Sequence, residues 1–159
     1  MVADMSYTTV SSVIDSWEDI RRIPNYEEQT GVLLFQKLFE LEPESKVIFG
    51  FQRDANVNEE LSKSARFVKH ARYFIQMIDK ALGMLGPDIE LLTEILLDLG
   101  KKHMGYGVKP EYFPSMGRAL IHAVKASLGD KFTEEMKDSW LEVFSALSYD
   151  MIRAQKMKG

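Results

Sequence analysis

The feature that most restricts the fold is a leucine stripe that runs at helical spacing into an imidazole. At about 100° per residue, Leu92, Leu96, Leu99 and His103 lie within roughly 40° of one line, and the chain then turns a corner at Gly105-Tyr106-Gly107-Val108. A second helical pattern, Phe67-Val-Lys-His70-Ala-Arg-Tyr-Phe74, sets His70 on an apolar face with Phe67, Phe74 and Ile78. One histidine in such a place is ordinarily a hydrogen-bonded core residue. Two of them, on separate helices and each flanked by aromatics, point to a buried ligand between the helices. The third histidine, His122, sits about 180° from Phe113 on its own helix and is expected to face solvent.

No segment shows the alternation of a half-buried strand, so the expected fold class is all-α. With 159 residues and 45% hydrophobic content the chain suits one globular domain, 1–159, with a short N-terminal extension over 1–7 and a C-terminal tail over 155–159. A net charge of −4 gives no basic surface for nucleic acid. No apolar run is long enough to span a bilayer and the first twelve residues lack the apolar core of a secretory signal, so no membrane partner and a cytoplasmic location are expected. The absence of cysteine removes disulfides, thiol catalysis, iron–sulfur clusters and cysteine zinc sites.

In chain order, the first helix is expected over Thr8 to Arg22 with Val13, Trp17 and Ile20 on one side, stopped by Pro24. Asn25 suits a side-chain cap on a second helix, Tyr26 to Leu41, which buries Leu34, Phe35 and Leu38. Gly31 within it costs roughly 1 kcal/mol against alanine, so a close backbone crossing is expected there. Pro43 starts a short helical turn through Ile48, followed by a corner with Phe49 and Phe51 and a polar loop over Gln52–Asn58. The helix bearing His70 is expected from Glu59 to Leu82, broken by Gly83, Gly86 and Pro87, and the next from Asp88 to His103. Pro110 opens a helix to Leu128, with Pro114 a distorting element in its first turn and Phe113, Met116, Leu120 and Val124 inward. Thr133 caps the last helix, which runs to Ala154 with Trp140, Phe144, Leu147 and Met151 on its apolar side.

Ligand supply narrows the chemistry. A hydrolytic zinc site normally takes three protein ligands, and the two stripes offer two histidines with no inward carboxylate near them. Haem needs only one axial imidazole from the protein, because the porphyrin supplies four nitrogens, and a flat macrocycle must be walled by large apolar groups like those around His70 and His103. Other signals are weaker. Glu59-Glu60 and Glu134-Glu135 sit near helix starts, where the backbone dipole favours negative charge. Lys101 and Lys102 suit a solvated helix end, and the methionines read as core filler.

Taken together, these residues resemble the globins over nearly the whole chain. The resemblance is carried by Gly31-Val-Leu-Leu-Phe35-Gln-Lys-Leu-Phe-Glu-Leu-Glu-Pro43, Phe49, His70, Leu99-Gly-Lys-Lys-His103 and Gly107-Val-Lys-Pro, with Trp17, Phe132-Thr133 and Trp140 in support. The wording is closer to neuroglobin-like and single-domain bacterial or algal globins than to vertebrate myoglobin. The resemblance implies about eight helices, three over three, around haem b (iron protoporphyrin IX). It makes His103 the proximal iron ligand and His70 the distal histidine, so both are metal-site residues. Phe49 matches the corner phenylalanine that packs flat on the haem, and Phe35 and Phe74 match two distal-pocket positions. Phe74 is a departure, since smaller aliphatic residues are common there. Leu99, Val108, Phe113 and Met116 match the proximal wall, Gly31 and Ala71 a close helix crossing, and Tyr73 and Tyr106 the propionate edge.

The resemblance implies reversible binding of O2, CO or NO at the iron. His70 then either donates a hydrogen bond to the gas or binds the iron itself, and the spacing leaves the two open. NO dioxygenation is the enzyme alternative and needs an external reductase, since no flavin or nicotinamide motif is present; gas sensing through a partner is another. Apolar positions on the first and last helices suit either the core or the interface of a homodimer.

Overall fold

Helix boundaries fall where capping chemistry puts them. The computed structural model describes residues 5–54, 64–85, 89–105, 109 and 111–157. Helix α1 spans Tyr7–Arg21, and Ser6 caps it by accepting from the Thr9 amide at 3.2 Å. Helix α2 spans Tyr26–Leu41 and is followed by a 3-10 turn over Pro43–Phe49. Helix α3, Ala65–Gly83, is capped by Ser64, whose hydroxyl accepts from the Phe67 amide at 3.2 Å. Helices α4, Ile89–Gly105, and α5, Tyr112–Leu128, follow, then a 3-10 turn at Gly129–Lys131 and α6, Glu134–Met157. Thr133 caps α6, accepting from the Met136 amide at 3.1 Å, as the sequence predicts.

One local expectation is corrected. Asn25 does not cap α2 through its side chain: it takes the left-handed conformation at φ 60°, its amide donates to Glu28, and its backbone carbonyl accepts from Gln29 at 3.1 Å. Asparagine tolerates that conformation better than most residues, which is why it fits a tight link after Pro24. Pro114 is the third residue of α5, within the first turn, where amides have no intrahelical acceptor to lose. The expected helix start at Glu59, the acidic pair Glu59-Glu60, the breakers Gly86 and Pro87, and Pro110 lie outside the described residues.

Helix α5 packs on α2 and α6, α3 lies against α2, and both α1 and α4 lie against α6. Helix α2 is the hub: it crosses α3 on one side and lies along α5 on the other. Its Leu34, Phe35, Leu38 and Phe39 are buried. The α2–α3 crossing is close because of Gly31, where an added Cβ would sit 2.7 Å from the Ala71 carbonyl oxygen. Helix α1 closes on α6 through Trp17 and Trp140, whose rings meet edge to face at 5.7 Å, and the Trp140 indole donates to the Ser16 hydroxyl at 2.9 Å. Among the described residues, α4 packs chiefly on α6 and α3 chiefly on α2, so the two histidine-bearing helices are each anchored elsewhere than on one another. No described helix is long and apolar enough to cross a membrane.

Candidate functional site

The site grows from Phe35. This residue of α2 is 1% exposed and meets the rings of Phe49, Phe67, His70 and Phe74 at centroid distances of 5.4 to 5.5 Å. Phe49 comes from the 3-10 turn, where Pro43 opens the turn and Gly50, at φ 85°, lets the chain leave it. Helix α3 supplies Phe67, His70 and Phe74 at spacings of three and four, so they share one face. The His70 imidazole lies 4.9 Å from the Phe49 ring and 5.5 Å from Phe35, yet the residue remains exposed to solvent. A polar ring surrounded by phenylalanines and still accessible is placed to meet a ligand.

The structure thus brings together Phe35, Phe49, His70 and Phe74. Tyr73, expected at the edge, is 53% exposed, and the Lys69 ammonium stands 5.7 Å from its ring centre. Leu99 is half-buried on α4 above the buried Leu92 and Leu96, while on α5 Phe113 is buried and Met116 half-buried. Among the described residues, no ring contact joins Phe113 to the cluster around Phe35, and Met116 packs on the core. The backbone of His103 is in the last turns of α4, but its side chain, with all of Tyr106 and Val108, lies outside the described residues. His122 is exposed, as expected from its place opposite Phe113. Lys101 and Lys102 are exposed as well, with Lys102 3.1 Å from Asp98 one turn back.

Sequence reasoning placed Phe39 in a motif and Phe51 in a corner without joining either ring to the site. Phe39 meets Phe49 edge to face at 5.5 Å and Phe67 at a tilt at 5.7 Å, and Phe51 meets Phe67 at 5.2 Å. The signal for Phe39 was its place one helical turn after Phe35. It also missed Gly100, treated above as part of a motif alone: an added Cβ there would lie 2.2 Å from the Met151 carbonyl oxygen of α6. That contact holds α4, the helix of His103, against α6.

These residues fit a haem. The apolar groups Phe49, Phe74, Ile78 and Met116 pack on the core with part of their surface left over, as a wall for a flat apolar body would be. No described group of three or more His, Asp or Glu residues could hold a bare metal ion, so a macrocycle needing one imidazole suits the donor set better than a protein-only metal site.

Comparison with known proteins agrees with this geometry. The Globin family model matches residues 32–151. Neuroglobin of Tetraodon nigroviridis is 32% identical over 146 residues, covering 91% of this chain and 88% of that protein. Neuroglobin of Danio rerio is 31% identical over 147 residues, covering 91% and 89%. Among solved structures, a hexacoordinated haem protein from an anhydrobiotic tardigrade superposes with a TM-score of 0.82 at 24% identity over 95% of both chains. A hexa-coordinate haemoglobin of Drosophila melanogaster does so with a TM-score of 0.78 at 23% identity, over 93% of this chain and 94% of that one. With its helix order, its helix pairings and a family match over most of its length, this chain belongs to the globin family.

Proposed function

We propose that the chain holds haem b between α3 and α4, with His103 ligating the iron and His70 on the opposite side, and that it binds O2, CO and NO reversibly there. The observation that carries this reading is the cluster at His70, an accessible imidazole against Phe49 and Phe35 in a chain of the globin family. When bound, the haem supplies an iron centre able to take diatomic gases. The rest falls to the protein's own groups. Neutral His103 offers a ring nitrogen to the metal, and Phe49, Phe74 and Met116 wall the macrocycle and keep water from its faces.

His70 acts on the gas side. Its ring N–H can donate to a diatomic ligand, and the more polarised the ligand, the greater the gain. A hydrogen bond to a charged partner contributes about 1.5–3 kcal/mol, roughly ten- to over a hundredfold in affinity. O2 therefore gains more than CO. The same imidazole can instead occupy the iron in the resting protein, and gases then reach only the open fraction, with apparent affinity lowered accordingly. The tardigrade and Drosophila proteins are described as hexa-coordinate, so this fold accommodates that arrangement.

Reconstitution with hemin tests the reading. A Soret band is expected, with sharp paired visible bands in the reduced, ligand-free protein if two histidines bind and one broad band if one does. In His70→Leu the affinity for O2 relative to CO is expected to fall by roughly tenfold or more. An unchanged or raised ratio excludes the distal contact, and a His103→Gly protein with unaltered coordination excludes the whole assignment.

A further inference from the structure

We propose that Trp17, Asp79 and Tyr26 form a proton-coupled redox relay: an electron lost from a buried indole is replaced from the Tyr26 phenol, and Asp79 takes the phenol's proton. The three side chains come from α1, α3 and α2. Asp79 has its side chain 24% exposed. Its Oδ1 accepts from the Trp17 indole N–H at 2.5 Å, and its Oδ2 accepts from the Tyr26 hydroxyl at 2.5 Å. One carboxylate thus bridges an indole and a phenol, the two kinds of side-chain ring that most readily lose an electron. The rings of Trp17 and Tyr26 meet edge to face at 6.2 Å, close enough for an electron to pass directly between them. On its other side Trp17 meets Trp140 edge to face at 5.7 Å, and these two are the chain's only tryptophans.

The hydrogen-bond partners give the relay its direction. The Trp140 N–H donates to the neutral hydroxyl of Ser16, whereas the Trp17 N–H donates to a carboxylate. A positive charge left on an indole is therefore better stabilised at Trp17 than at Trp140. Oxidised Trp17 then draws on Tyr26: an electron crosses from the phenol ring to the indole, and the proton moves from the phenol oxygen to Oδ2. Trp17 returns to its neutral closed-shell form, Tyr26 becomes a neutral phenoxyl and Asp79 a carboxylic acid, so atoms and charge balance. Without the acceptor the product would be a phenol radical cation, a far stronger acid than a carboxylic acid and correspondingly hard to form. Arg21 stands 3.7 Å from Oδ1 and favours the ionised carboxylate beforehand; it is half-exposed and on the Trp17 side, so water screens its opposition to a proton on Oδ2. Both indoles are buried and Tyr26 is half-buried, so the relay ends at a ring within reach of a small one-electron reductant in solution. Such a reductant returns the electron and Asp79 returns the proton. The initial oxidant is a one-electron acceptor of the radical class. The relay uses no contact with a bound group, so it stands apart from the haem reading above.

The test uses the full chain as isolated. An ultraviolet laser pulse at a wavelength that indoles absorb and phenols do not ejects an electron, which dissolved oxygen takes up, and transient absorption follows the indole and phenoxyl radicals. In the wild type the indole radical is expected to decay as the phenoxyl rises, and both are expected to slow in deuterium oxide. Tyr26→Phe is expected to abolish the phenoxyl and to lengthen the life of the indole radical by about tenfold or more. Asp79→Asn keeps the shape of the side chain but cannot take the proton, and is expected to slow the phenoxyl rise by about tenfold or more, as fits the loss of a charge-assisted hydrogen bond. If that variant folds poorly, Tyr26→Phe, which loses one hydroxyl, and the isotope comparison in the wild type carry the test. A wild type that forms no phenoxyl, or forms it equally fast in deuterium oxide, overturns the proposal. So does a phenoxyl that persists in Tyr26→Phe, or a folded Asp79→Asn protein with an unchanged rate.

Discussion

A phenol that is partly buried and donates to a carboxylate has two reasons to keep its proton, and Tyr26 has both. Burial first, then the hydrogen bond to Asp79 and that group's negative charge, push its pKa from 10.0 up to about 12. A raised folded-state pKa contributes stability that is fully present below the unfolded value and is lost as the pH climbs through the folded one. The window is therefore pH 10 to about 12. Urea denaturation midpoints are expected to fall across that window in the wild type, and Tyr26→Phe is expected to remove this part of the slope. An equal slope in both proteins would assign the alkaline loss to other groups. Nothing in the sequence announced the pair: Tyr26 and Asp79 are 53 positions apart, and an aspartate within an amphipathic helix ordinarily reads as part of a solvated face. His122 was the easier case, since one helix and its own period decide which way it faces.

At the scale of elements, what could be read from the sequence was what depends on neighbours in the chain. The ends of α2 match the expectation residue for residue, because Pro24 and Pro43 bracket it, and the inward sets Val13, Trp17, Ile20 and Leu34, Phe35, Leu38 follow from helical spacing alone. The Gly31 crossing was legible because a glycine inside an otherwise strong helix calls for a reason. Gly100 sits near a helix end, where a glycine needs no special reason, so its contact with Met151 of α6 stayed hidden. The two kinds of glycine separate by experiment. Alanine at a helical glycine gains up to about 1 kcal/mol from propensity when there is room. Gly83 has nothing within 4 Å of an added Cβ, so Gly83→Ala is expected to be stabilising by about that amount. Gly100→Ala puts a methyl 2.2 Å from a backbone oxygen that cannot rotate away, so α4 and α6 must part. Overpacking of this kind costs about 1–3 kcal/mol, which outweighs the propensity gain. Denaturant midpoints of the two variants should move in opposite directions, and a neutral Gly100→Ala would mean that the crossing is looser than described.

For the molecule as a whole, the two helices that carry His70 and His103 are each secured to a different partner, α3 to α2 and α4 to α6. Any group lodged between them and gripped by both would join two parts of the fold that protein contacts join less. Ligand bound to the native state alone stabilises it by mass action, about 4.1 kcal/mol at a thousand times the dissociation constant. For a chain of 159 residues, at about 2–4 °C per kcal/mol, that corresponds to a rise of about 8–16 °C in melting temperature. Thermal unfolding of the full chain with and without hemin should show a rise of this order, tracked by loss of the Soret band at the same temperature. In His103→Gly the rise should shrink, because the metal–imidazole bond is gone while apolar burial of the macrocycle remains. In His122→Ala it should be intact, since that residue is exposed on α5, opposite the inward Phe113. Equal gains in the wild type and His103→Gly would show that the His103 imidazole takes no part in holding the hemin.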